Sequence, residues 1–181
     1  MPKQIDLESM TEEFKQLREQ YQPEIIKMLF ITEALQPGNV FFYRKNSNVF
    51  RAVKEAFAQV FGEFESDEDF LAFFKENGCY VDYLCPVLIN GLPQEVRQQV
   101  RTDGIKPLSG RLALLQPEVV VTVMKVLEKE VNAAIELSGL TSVVFRKSVA
   151  FPAHSKTNAD KCVSELVGIL EELVEIGVWS D

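Results

Sequence analysis

The sequence is poor in the residues that bind transition metals or form disulfide bonds. It contains one histidine and three cysteines, and Cys79, Cys85 and Cys162 are scattered along the chain. Isolated cysteines in odd number form neither a disulfide framework nor a CxxC metal knuckle, and they are too few for a four-cysteine iron–sulfur cluster. We therefore expect reduced and mostly buried thiols, with no metal and no cofactor.

Long apolar stretches are also missing. A membrane-spanning helix needs about 20 consecutive apolar residues, and no run of that kind occurs in the chain. The amino-terminal segment MPKQIDLESMTEEF lacks the apolar centre of a signal peptide. These absences predict a cytoplasmic protein without a membrane partner.

Basic residues are outnumbered by acidic ones. The chain has 19 Lys and Arg against 27 Asp and Glu, and its net charge is −8 at pH 7. Proteins that bind nucleic acids normally show a basic footprint. The acidity argues against tight nonspecific DNA binding, but it is compatible with a local basic rim around one cleft.

Two common enzyme signatures are absent from the sequence. The phosphate-cradling P-loop does not occur, which argues against a nucleoside triphosphatase. The GxSxG elbow does not occur either, which argues against a serine hydrolase of the α/β type.

The order of apolar segments predicts the fold class. The segment 25–31 is almost continuously apolar, which is typical of a parallel strand covered on both faces. Further strands are predicted at 79–85, 119–124 and 143–145. Helices are predicted at 7–21, 47–61, from 66 to the Asn77-Gly78 stop, and at 94–102, 108–115, 126–137 and 158–178. This alternation predicts an α/β protein, a three-layer αβα fold with a central four-stranded parallel sheet. The length of 181 residues and the absence of repeats and linkers predict a single domain, 1–181.

Three predicted loops follow the carboxyl ends of strands and should meet at one edge of the sheet. The loops span residues 33–48, 82–92 and 146–156. They contain Glu33, the aromatic cluster at 41–43, Asp82 and the single histidine, His154. Aromatic walls with a few polar groups are typical of a binding pocket.

Three motifs in and beside these loops resemble the uracil-DNA glycosylase superfamily. The first strand ends in Thr32-Glu33-Ala34-Leu35, which is similar to a glycine-start motif that reads Gly-Glu-Ala-Pro in one branch. The second motif has aromatic residues, a short spacer and then Asn48-Val49-Phe50 opening a helix. The third, Phe151-Pro152-Ala153, stands where the family has His-Pro-Ser or Asn-Pro-Ser before its final helix. The likeness extends from the first strand to the last helix.

The resemblance implies a DNA-repair hydrolase that removes a deaminated or damaged base, of the uracil or hypoxanthine type, by hydrolysing its N-glycosidic bond. The base must leave the stack to enter a pocket, so DNA or a nucleotide would bind at the strand-end cleft. By the resemblance, Glu33 would stabilise the cationic sugar or activate water, and His154 would donate to the base carbonyl. The sequence gives no indication of the oligomeric state.

The resemblance also assigns binding residues. The base would be held by Phe42, Tyr43, Asp82 and Phe151. The phosphates would be contacted by Arg44, Lys45, Arg146, Lys147 and Lys156, together with free backbone N–H groups at the start of the last helix.

Each assignment has a structural alternative. Glu33 could pair with Arg44 or cap a turn, where such pairs contribute little. Asp82 could form a salt bridge with Arg97 or Arg101, because a buried carboxylate needs a partner. The aromatic residues could belong to the core, the histidine could lie on the surface, and the cations could balance the acidic surface.

The chain departs from the family at working positions. Thr32 replaces a glycine, and Leu35 replaces a proline. Ala34 and Phe151 stand where many members have polar groups. Two hypotheses follow: a divergent glycosylase with rearranged chemistry, or a non-catalytic nucleotide- or protein-binding module on the same fold.

Overall fold

The computed structural model describes residues 7–179. Residues 1–6 and 180–181 lie outside this range. The two ends of the predicted domain, and part of the segment on which the signal-peptide prediction rests, are therefore outside the described residues.

A sheet of four parallel strands forms the centre of the molecule. The strands are β1 (Met28–Leu35), β2 (Cys79–Leu88), β3 (Val119–Val123) and β4 (Phe145–Val149). Their order across the sheet is β2-β1-β3-β4. Every residue of β3 is buried, because helices cover both faces of a central parallel strand. The predicted three-layer αβα fold is confirmed.

Seven α-helices surround this sheet in the described part of the chain. They are α1 (Glu12–Gln20), α2 (Asn48–Phe61), α3 (Asp67–Glu76), α4 (Gln94–Asp103), α5 (Ile105–Leu115), α6 (Glu128–Ser138) and α7 (Lys156–Glu175). Single 3-10 turns occupy Phe42–Arg44 and Lys125–Leu127. The helices α2 and α7 pack together on one face, and α5 and α6 pack together on the other.

Hydroxyl side chains cap four of the helix starts, those of α1, α2, α3 and α7. Ser47 Oγ accepts a hydrogen bond of 3.0 Å from the N–H of Phe50, and Ser66 Oγ caps α3 in the same way. Thr11 Oγ1 accepts from the third residue of α1. An oxygen at this position satisfies a backbone donor that has no partner inside the helix. The predicted starts of α2 and α3 are therefore confirmed.

The strand ends differ from the prediction. β1 begins at Met28 and continues to Leu35, where the sequence predicted a loop. β2 continues through Pro86, because it lies at the edge of the sheet, where the missing N–H of a proline is tolerated. β4 begins at Phe145, later than predicted, and takes in residues assigned to a loop.

Two helix starts also differ. α1 begins at Glu12 rather than residue 7, because the segment before it lies along β2, where Ser9 forms an antiparallel bridge with Val87. α5 begins at Ile105, ahead of Pro107. A proline in the first turn removes only an N–H that would have no intrahelical partner.

Candidate functional site

A small hollow lies at the carboxyl end of β1, beside the first half of β2 and the 3-10 turn at Phe42–Arg44. Its lining consists of Thr32, Ala34, Gln36, Val40, Phe41, Phe42, Ser47, Val49, Val81 and Tyr83. We call it the strand-end hollow. Its volume is about 20 Å³, which is room for roughly one water molecule.

The alternation of β1 decides which residues reach the strand-end hollow. Successive side chains of a strand point to opposite faces of the sheet. Thr32 and Ala34 line the hollow, so Glu33 between them points to the face covered by α4. The predicted catalytic carboxylate is therefore turned away from the predicted pocket, because β1 is still extended at this position.

Glu33 is held by two arginines of α4. Arg97 Nη2 donates to Oε1 at 2.9 Å, and Arg101 Nε donates to Oε2 at 2.5 Å. The residue is buried, with 7% of its surface exposed. The alternative that Glu33 pairs with Arg44 is wrong, because Arg44 Nη1 lies 2.7 Å from Glu13 Oε1. The Glu33 carboxylate joins α4 to the sheet.

Asp82 is fully buried and also meets two arginines. Arg18 Nη2 lies 2.8 Å from Oδ1, and Arg111 Nε donates to Oδ2 at 2.9 Å. The Tyr83 N–H donates to Oδ1 at 2.7 Å. A salt bridge was the alternative to base recognition, but its predicted partners were wrong. Asp82 pairs in register with Ile31, midway along β1, and it does not line the strand-end hollow.

The aromatic cluster after β1 belongs to the core. Phe42 and Tyr43 are buried, with 2% and 1% of their surfaces exposed. The Val81 N–H donates to the Tyr43 hydroxyl at 3.0 Å, and burial raises the pKa of that phenol well above its usual value. Phe41 stacks on Phe14 with ring centroids 4.4 Å apart. The prediction that Tyr43 offers a free face to a base is wrong for this structure, and Phe42 contributes only to the wall of the hollow.

The loop after β4 stays apart from the strand-end hollow. Phe151 is half-buried against the core, and His154 is exposed with a φ of 76°. Neither residue lines the hollow. Glu33, Tyr43 and His154 therefore share no wall of it, and the predicted gathering of three loops around one cavity does not occur there.

Two predicted phosphate-binding cations are engaged in surface ion pairs. Arg44 pairs with Glu13, and Lys45 Nζ lies 2.5 Å from Glu68 Oε1. Both acids come from neighbouring helices, so the positive charge beside the 3-10 turn is neutralised locally.

The other three predicted phosphate-binding cations, Arg146, Lys147 and Lys156, lie near β4. Arg146 donates to Asn132 Oδ1 at 3.3 Å, and Lys147 Nζ lies 5.8 Å from the centroid of the Phe145 ring. Arg146 and Lys147 are the second and third of the five residues of β4, before its carboxyl end. Lys156 is exposed at the start of α7. These cations do not line the strand-end hollow.

Sequence reasoning missed a buried acid on the same face as Glu33. Glu130 has 7% of its surface exposed, and Gln98 Nε2 donates to its Oε1 at 2.9 Å. Its Oε2 has no hydrogen-bond partner among the described residues. No sequence signal distinguishes Glu130 from the exposed acids of α6. The residues Arg97 and Arg101 are four apart on a predicted helix, and this spacing indicated only that they share a face.

Comparison with known proteins adds no relative. No protein-family model matches the chain, and no curated protein matches it. The resemblance to uracil-DNA glycosylases therefore rests on the three motifs alone. Among residues 7–179, no helix is both long and apolar enough to cross a bilayer, and no cluster of three His, Cys, Asp or Glu side chains is placed to hold a metal ion.

Proposed function

We propose that the protein is a non-catalytic module that binds a nucleobase or nucleotide at the strand-end hollow. One observation carries this proposal. None of the ten described residues that line the hollow is charged, and none is a histidine. Hydrolysis of a glycosidic bond needs a group that stabilises a cationic sugar or activates water, and the lining offers no such group.

The lining suits recognition of a base better than its removal. Thr32, Gln36 and Ser47 place two hydroxyls and one amide beside the rings of Phe41 and Phe42. An amide offers both donors and acceptors, and it can match the edge of a base. The hollow lies at the carboxyl end of β1, and α/β proteins bind ligands beyond the carboxyl ends of their parallel strands.

A base can enter only if the loop at 36–40 moves outward, since the hollow has a volume of about 20 Å³. The middle of this loop is exposed. Asn46 holds it closed: its Nδ2 donates to the carbonyl of Asn39 at 3.1 Å, and its Oδ1 accepts from the N–H of Phe41 at 2.9 Å. We therefore infer that the two hydrogen bonds of Asn46 keep the loop closed over the hollow.

The test is calorimetric titration with uracil, hypoxanthine and their deoxynucleoside monophosphates. We expect saturable binding by the wild type, and at least about tenfold weaker binding by Ala34→Leu, whose larger side chain fills the hollow. The matched control is Ala113→Leu, an equal change at an exposed position of α5. Absence of binding by all four compounds, or equal binding by Ala34→Leu and the wild type, would overturn the proposal.

A second candidate is the glycosylase itself. The observation that favours it is the position of Phe42, which borders the hollow after β1, where the resemblance puts the ring that holds the base. Release of uracil or hypoxanthine from a lesion-bearing oligonucleotide, abolished in both Glu33→Gln and Ala34→Leu, would replace the binding module with the enzyme. We expect no release by the wild type.

A further inference from the structure

A larger cleft lies between α1, the outer strand β2 and α5, with a volume of about 230 Å³. We call it the α1–α5 cleft. It is lined by Met10, Lys15, Arg18, Glu19, Gln22, Tyr80, Arg111, Leu114 and Leu115. It shares no residue with the strand-end hollow.

Positive charge is in excess at one end of this cleft. Arg18 and Arg111 both bind Asp82, so two guanidinium groups share one carboxylate. Lys15 also lines the cleft, but it pairs with Glu12 at 3.2 Å, and Glu19 is the only acid in the lining. The excess of one cation is therefore confined to the two arginines on Asp82.

The arginines are already fixed in position. The guanidinium carbon of Arg18 lies 5.0 Å from the centroid of the Tyr80 ring, and Arg111 Nη2 donates to the carbonyl of Tyr83 at 2.6 Å. Arg18 Nε is buried and has no hydrogen-bond partner within residues 7–179. Neutralising Asp82 requires only one guanidinium, so the second leaves a held positive charge beside the cleft. Guanidinium groups held in this way recognise carboxylates and phosphates.

Apolar residues adjoin the arginines. Leu114 and Leu115 follow Arg111 by one turn of α5, and Leu114 has 86% of its surface exposed. Met10, before α1, also lines the cleft. An exposed leucine beside two arginines matches a ligand that is charged at one end and apolar at the other. The volume is below the range of about 300–1,000 Å³ that is usual for drug-sized ligands, so the ligand must be small.

We propose that the α1–α5 cleft binds a small organic anion, in which a phosphate or carboxylate is carried on a single ring or a short apolar chain. The anionic group would contact Arg18 and Arg111, and the apolar body would lie against Leu114 and Leu115. This site is independent of the proposed nucleobase site.

The ligand chemistry is tested by thermal unfolding in the presence of phenyl phosphate, benzoate, inorganic phosphate or benzyl alcohol. We expect phenyl phosphate or benzoate, at ten times its dissociation constant, to raise Tm by about 3 °C. Inorganic phosphate lacks the apolar body and benzyl alcohol lacks the charge, so both should give a smaller shift at the same concentration. Equal shifts with phenyl phosphate and inorganic phosphate, or no shift with either aromatic anion, would overturn the proposal.

The location is tested by Leu114→Asp, which replaces the apolar wall with a negative charge. Because Leu114 is almost fully exposed, this variant should fold as the wild type does and bind the aromatic anion at least about tenfold more weakly. The matched control is Leu137→Asp on α6, where the leucine is 60% exposed and lies outside the cleft. The variant Ala34→Leu should bind the aromatic anion normally. Unchanged binding by Leu114→Asp, or an equal loss in Leu137→Asp, would contradict the assignment.

Discussion

Three carboxylates, those of Glu33, Asp82 and Glu130, are buried in the described part of the chain. Burying a charge is unfavourable unless hydrogen bonds and an opposite charge replace the lost water. Asp82 and Glu33 each meet two arginines, whereas Glu130 meets one glutamine and keeps an oxygen without a partner among the described residues. The first two acids join helices to the sheet, which explains how both can be buried without serving a reaction.

We expect Glu33→Gln to lower the free energy of unfolding by about 2 kcal/mol, because the neutral amide leaves Arg97 and Arg101 without a counter-charge. Urea denaturation measures this loss. The control is Glu13→Gln, which removes an exposed ion pair with Arg44 and should change stability by less than about 0.5 kcal/mol. Equal losses in the two variants would mean that Glu33 contributes no more than a surface acid.

The partners of these acids could not be predicted from the sequence. Glu33 lies 64 and 68 residues before its two arginines, and Asp82 lies 29 residues before Arg111. Spacing on one helix indicated that Arg97 and Arg101 share a face, but it did not indicate which acid they meet. That choice depends on the alternation of β1 and on the path of α4 across the sheet.

The starts of α2 and α3 were predictable, whereas the starts of α1 and α5 and the carboxyl end of β1 were not. A serine followed by an apolar repeat predicted α2 and α3, and the caps at Ser47 and Ser66 confirm those starts. Polar residues at Thr32 and Glu33 suggested a loop, yet pairing with β2 keeps β1 extended to Leu35. Neighbouring strands, rather than local composition, set where a strand ends. Because residues 32–35 are strand and not loop, Glu33 faces away from the strand-end hollow, and the predicted catalytic site is wrong.

The joint between α4 and α5 gives a prediction about packing. Gly104 lies between the helices, and a Cβ built there would be 2.5 Å from the backbone carbonyl oxygen of Leu84. We expect Gly104→Ala to lower the free energy of unfolding by about 2 kcal/mol, since either the helix joint or β2 must shift. Its φ of −74° suits any residue, so the cost is steric.

Gly110→Ala is the matched control, because a Cβ at Gly110 meets no atom within 4 Å. Alanine has the higher helix propensity, so this variant should gain up to about 1 kcal/mol. Thermal denaturation of both variants distinguishes the two effects. A Gly104→Ala variant as stable as the wild type would show that the contact with β2 relaxes freely.

In the molecule as a whole, the alternation of apolar segments was sufficient to predict the three layers. The burial of cysteine side chains between these layers determines how the thiols react. Burial raises the pKa of Cys85 and of Cys162 to about 12, and raises the pKa of Cys79 further. All three thiols are free and buried in the described structure. They are therefore protonated, and shielded from reagents, near neutral pH.

A thiol reagent at pH 8 should modify none of the three cysteines rapidly in the native protein and all three in denaturant. Because folding raises these pKa values, the unfolded chain releases thiol protons first as the pH rises. The free energy of unfolding should therefore be constant near pH 7 and fall above about pH 8.5, and more steeply above about pH 10 as tyrosines ionise in the unfolded chain. Burial raises the pKa of Tyr43 and Tyr83 as well, so their contribution has the same sign. One rapidly modified native cysteine, or stability that rises in alkali, would contradict this account.

The contacts between the α1 region and β2 have a consequence for folding during synthesis. The carbonyl of Glu8 accepts from the N–H of Leu88 at 2.8 Å, and Arg18 is held by Asp82. Ribosomes add about 5–20 residues per second, so the first helix waits on the order of ten seconds before these partners are translated. The helix α1 therefore cannot dock until β2 has been made, and the nascent chain carries the apolar side of α1 uncovered in the meantime.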